Sequence, residues 1–169
     1  MKKIIALFLS LTLAATCGAA AFADTMINKS DENQTGTLNV TYTTTETYTV
    51  TIPADVTLSS AAKEVSDREV KATDVLLASG STLTVTVASA NGYQLKNGTS
   101  AIPYTCKAGN TTITADNNTV LTVSAGTKNP DAVSLTIGTT DADIANATLA
   151  GEHTDTLTFT CTVTPAANP

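Results

Sequence analysis

The sequence predicts an all-β protein, a single antiparallel β-sandwich of seven to nine strands, and three observations carry that prediction. Threonine supplies 33 of the 146 residues from Asp24 onward, and branching at Cβ favours extended backbone over helix. Six segments alternate apolar and polar residues with period two, the pattern of a strand with one buried and one wet face. Clusters of Gly, Asn, Asp and Ser separate them at the spacing of a sandwich or barrel.

Residues 1–23 read as a secretory signal peptide. Lys2 and Lys3 give a positive start, IIALFLSLTLAA is an apolar run short for a membrane span, and AFA before Asp24 is a small-residue cleavage site. Cys17 follows LAAT, where Thr16 takes the place a lipid-modification signal gives to a smaller residue, so Cys17 is expected to leave with the signal. The mature protein is then expected outside the cell, secreted or on the cell surface, with no stable membrane span. Residues 24–35 are polar and expected to be disordered, and residues 36–165 form the sandwich domain. Removing Lys2 and Lys3 from 9 basic and 15 acidic residues leaves 7 against 15, a net charge of −8. That balance argues against nucleic acid and anionic lipid as partners.

The six alternating segments follow in order. Leu38, Val40 and Tyr42 mark the first, Tyr48, Val50 and Ile52 the second, and Leu83, Val85 and Val87 the third. Ile102, Tyr104 and Cys106 mark the fourth, and Val133, Leu135 and Ile137 the fifth. Leu157, Phe159, Cys161 and Val163 form the last, which is placed in or near the middle of a sheet. Asn91-Gly92 and Asn97-Gly98 are the sharpest hairpin candidates, because both residue types tolerate positive φ. Residues 59–78 mix charge with Ala and Val and read as a loop, a short strand around Glu69 to Ala72 and a turn. Residues 141–147 can hold one helical turn, capped by an Asx or threonine side chain.

Cys106 and Cys161 are the even pair of a secreted chain, and both fall on the apolar parity of their segments. A disulfide between them would close a loop of roughly 55 residues, worth about 4 kcal/mol by the chain-entropy relation. Two buried free thiols packed as small hydrophobes are the other reading. The pair has no CxxC spacing and His153 is the single histidine, so no metal site and no cofactor is expected.

Catalysis by a serine or cysteine nucleophile needs a base and a group that orients it. His153, flanked by Glu152 and Asp155, is one candidate base, and the chain has no GxSxG elbow. Asp141 and Asp143 could begin a calcium site, but no spaced series of oxygen ligands follows, and a solvated turn is the plainer reading. Tyr42, Tyr48 and Tyr104 follow core parity, which leaves Tyr93 as the candidate for ligand contact by stacking. Asn-x-Thr triplets such as those at 39, 97, 110 and 146 would accept glycans in a eukaryote, but the leader looks bacterial and no glycan is expected.

TYTVTIPADVTL (47–58), ASGSTLTVTVASANGYQL (78–95) and AGEHTDTLTFTCTVT (150–164) resemble the recurring segments of small secreted or surface β-sandwich proteins of Gram-positive bacteria. His153, Leu157, Thr158, Phe159, Cys161 and Pro165 occupy the spacings of the terminal motif of WxL wall-binding domains. His153 stands in place of its tyrosine, Phe159 of its tryptophan and Cys161 of its leucine. The same ending is similar to the final strand of spore-coat-U and pilin-like domains. The resemblance implies an immunoglobulin-like or pilin-like Greek key. Its functional implication is a non-enzymatic structural or adhesive module associated with cell wall or extracellular matrix. A cell-wall polymer, a surface protein or a host glycan would be the partner. Two alternatives stand beside it: a pilin-like subunit that polymerises by strand addition through Thr37 to Tyr42, with self-association, and a carbohydrate-binding module using Tyr93.

Overall fold

The computed structural model describes residues 38–167; the expected signal peptide and the polar segment 24–35 lie outside them. Ten strands and one helical turn follow each other as β1 (Thr47–Thr51), β2 (Glu64–Leu76), β3 (Thr82–Ser89), β4 (Gln94–Asn97), β5 (Ser100–Pro103), β6 (Thr105–Ala108), β7 (Thr111–Thr112), β8 (Thr119–Ser124), β9 (Val133–Gly138), α1 (Asp141–Ile144) and β10 (Leu157–Thr164). Every pairing is antiparallel. One sheet has the order β1-β2-β9-β6-β7, a second β10-β3-β8, and β4 and β5 form a separate hairpin.

Alternation explains the core. Leu83, Val85 and Val87 on β3 are 0–1% exposed while the threonines between them are half-buried. They pack with Val120, Leu121 and Val123 of β8 and with Val70, Ala72, Leu135, Cys106 and Ala108 of the larger sheet in one cluster. Each such Val or Leu contributes about 1.5–3 kcal/mol by leaving water.

Bulges account for two segments that alternation alone does not fully reveal. In β8, Val85 pairs with Leu121 but Thr86 with Thr119, so Val120 is the extra residue and both Val120 and Leu121 turn inward. In β2, buried positions run Val70, Ala72, Val75, because the register to β1 shifts between Thr47 and Thr49 opposite Asp74, which has φ 53°. The short strand expected around Glu69 to Ala72 is therefore a 13-residue strand, its charges exposed except on half-buried Arg68 and its period broken by the bulge.

Other expectations are corrected. Leu38, Val40 and Tyr42 lie in no strand and are 80%, 86% and 91% exposed; the compact unit that holds the ten described strands begins at Thr44. Tyr48 is 40% exposed, since β1 is an edge strand with only Val50 half-buried. The segment through Ile102, Tyr104 and Cys106 is divided: Pro103 ends β5, and Tyr104 passes the chain to β6 in the larger sheet. With that division the described residues hold ten strands. Asn91-Gly92 is a corner between two sheets, whereas Gly98, with φ 56°, opens the two-residue loop of the β4–β5 hairpin closed by Asn97 and Ser100. β10 lies at the edge of its sheet, not near its middle. The helical turn forms, with a capping box: Asp143 N donates to Thr140 Oγ1 (3.1 Å) and Asp143 Oδ2 accepts from Thr140 N (3.2 Å).

Replacing Leu83 by Ala is expected to lower unfolding free energy by about 2–5 kcal/mol, and Leu38→Ala by less than about 0.5 kcal/mol. Urea denaturation checks both, and equal effects would contradict this placement of the core.

Candidate functional site

The chain between β3 and β4 makes its corner with two consecutive left-handed residues, Gly92 at φ 67° and Tyr93 at φ 61°. Glycine meets no penalty there, but an aromatic residue does, by about 1–3 kcal/mol. Hydrogen bonds hold it. Tyr93 N donates to Ser89 Oγ (2.6 Å), and Tyr93 O accepts from Tyr104 N (3.0 Å).

Behind this corner sits Asp155, two residues before β10. Its Oδ2 accepts from Ser89 Oγ (2.5 Å) and Tyr104 Oη (2.7 Å), and its Oδ1 from Asn91 N (3.0 Å) and Thr156 N (2.7 Å). The carboxylate is thus fully used as an acceptor, and its charge is met by donors, not by a cation. Burial, then the hydrogen bond to this carboxylate, push the Tyr104 hydroxyl far above the ordinary tyrosine range. Tyr93 packs edge-on against Tyr104, with ring centroids 5.9 Å apart. Its own hydroxyl is buried without a partner, and burial, with smaller contributions from Cys106 and Asp155, raises its pKa.

A cavity of about 470 Å³ opens beside this cluster, lined in part by Val87, Tyr93, Tyr104, Thr105, Ile113 and Asn118. No Asp, Glu, Lys, Arg or His lines it. Its volume lies in the small-molecule range, and an uncharged wall of rings, methyls, hydroxyls and one amide suits a neutral ligand with an apolar face. Tyr93 is among the residues that line it, while its hydroxyl is buried.

His153 acquires a partner that no local spacing marks. Its Nε2 lies 2.8 Å from Ser100 Oγ and its Nδ1 3.1 Å from Gly151 O. A carbonyl can only accept, so Nδ1 carries the proton and Nε2 accepts from the serine hydroxyl. This is the outline of a nucleophile, a base and an orienting group. Yet Ser100 is 1% exposed, and its oxygen also accepts from Thr148 N (2.9 Å) and Leu149 N (3.3 Å). A substrate carbonyl cannot reach an oxygen so enclosed; the pair ties the loop after α1 to the β4–β5 hairpin.

Cys106 and Cys161 are both free thiols in this structure. They stand on different sheets, Cys106 on β6 and Cys161 on β10. Cys106 is fully buried, and Cys161 faces the core side opposite Val85 but stays half-buried at the sheet edge. Burial pushes the Cys106 thiol up to about 11. Asp141 pairs with Lys63 Nζ at 2.6 Å and Asp143 serves the capping box. Among the described residues no group of three or more His, Cys, Asp or Glu could hold a metal ion, and no helix is long and apolar enough to cross a membrane.

No family model, curated protein or solved structure matches this chain.

Tyr104→Phe, which strips a donor from the half-buried Asp155 carboxylate, is expected to cost about 1.5–3 kcal/mol. Tyr93→Phe removes an unpartnered hydroxyl and is expected to leave stability unchanged or higher; a urea series on the two variants separates them. Alkali provides a second check. Because the folded pKa of Cys106, about 11, exceeds its ordinary 9.0, the native state holds that proton more tightly. Its contribution is complete below pH 9 and is lost as pH rises through about 11. Thermal melts are expected to fall over that window, and less steeply in Cys106→Ala.

Proposed function

We propose that this protein is a non-enzymatic structural or adhesive β-sandwich module that is secreted or held at the cell surface, with a cell-wall polymer, a surface protein or a host glycan as its partner. The observation that carries this reading is the employment of its reactive groups. Asp155, Ser89 and Tyr104 are spent on holding one corner, and Ser100 and His153 on holding a loop. What the fold offers to its surroundings is hydroxyl-rich: Thr158, Thr160, Thr162 and Thr164 are all exposed along β10. The uncharged cavity at Tyr93 supports a neutral, sugar-like contact within the same role.

Binding of the purified protein to isolated bacterial cell walls and to a glycan array tests the proposal. Retention on either, weakened by Tyr93→Ala without loss of the thermal transition, is the expected result. A hydrolytic activity that disappears in His153→Ala would overturn it.

A further inference from the structure

Sheet edges in native proteins are guarded, because a row of free N–H and C=O groups invites another strand. Short length, bulges, charge and proline are the usual guards. Three of the four edges of the two main sheets follow this rule. β7 has two residues, β1 has five and a register shift, and β8 has a bulge at Val120. β10 does not. Its eight residues, LTFTCTVT, include no charge and no proline, and they pair with β3 residue for residue without a shift.

The core also stops abruptly at this strand. Leu157, Phe159, Cys161 and Val163 stay half-buried, although their neighbours Leu83, Val85 and Val87 on β3 are 0–1% exposed. One more strand beside β10 would cover them.

We propose that this strand is β10 of a second copy, paired antiparallel so that two three-stranded sheets become one continuous sheet. The period-two sequence makes β10 complementary to itself. Centred on Thr160, antiparallel pairing sets Leu157 opposite the partner's Val163, Phe159 opposite the partner's Cys161, and threonine opposite threonine throughout. All four apolar residues find apolar partners, and cross-strand threonine pairs are favourable. The negative charge of the whole chain is absent from the strand itself, so no like charges meet in the ladder. The interface is isologous and closes at two copies.

Sedimentation equilibrium of the purified protein over a wide concentration range is expected to show reversible dimerisation. Thr160→Lys places like charges opposite each other at the twofold axis. It should raise the dissociation constant several-fold while leaving the thermal transition in place, because Thr160 is exposed. Mixing Thr160→Lys with Thr160→Glu should restore dimers that neither variant forms alone. A protein monomeric at every concentration, or dimers that ignore both charges, would overturn the proposal. So would association that survives Thr160→Lys but is lost in Val40→Lys, since the exposed segment Leu38 to Tyr42 would then be the added strand.

Discussion

Asp155 accepts hydrogen bonds from the end of β3, from the corner that follows it, from Tyr104 and from its own succeeding residue. A charged acceptor with four donors makes stronger bonds than neutral pairs do and leaves little lone-pair capacity unmet. The strained conformation of Tyr93 depends on it, because Ser89, which receives the Tyr93 amide, is itself oriented by the carboxylate. So does the place where the chain leaves β5 for β6, because Tyr104 is anchored there by its hydroxyl. The approach to the closing strand and the division of the chain between two sheets thus share one anchor.

From that anchor the asymmetry of the molecule follows. The larger sheet has five strands and the smaller three, so the apolar side of β10 cannot be covered to the same depth as that of β3. The cavity beside Tyr93 opens where the corner, Tyr104 and the chain after β7 meet. Asp155, close to this cavity, is enclosed by donors and faces the corner. The outer positions of β10 and the wall of the cavity are hydroxyl-rich or apolar and uncharged, in a chain whose net charge is negative.

Much of the sandwich was legible along the chain. β3, β9 and β10 fall on segments of unbroken alternation, and each keeps the parity read from its residues. β8 was hidden because Val120 and Leu121 are consecutive, and only a bulge lets both face inward. β2 was legible only around Glu69 to Ala72, because charged residues interrupt the apolar pattern before it and the period changes at Asp74 after it. Leu38, Val40 and Tyr42 mislead in the opposite direction: they alternate as a strand does, but a strand also needs a neighbour. Within the site, Tyr93 could be singled out by elimination. Asp155 and Ser100 could not, since their partners lie 66 and 53 residues away in the chain.

The sequence by itself determined fold class, strand parity and the helical turn, because these depend on side-chain shape and on neighbours within a few residues. Thr140 and Asp143, three positions apart, make their capping box without help from the remaining chain. Tertiary structure alone decided where registers slip, which sheet receives each strand and which polar groups meet. Those outcomes rest on contacts between distant segments. In GEHTDTLTFTCTVT the alternation declares the strand, but only the assembled sheets put Asp155 under a corner formed by residues 89–93 and leave Cys161 at an open edge.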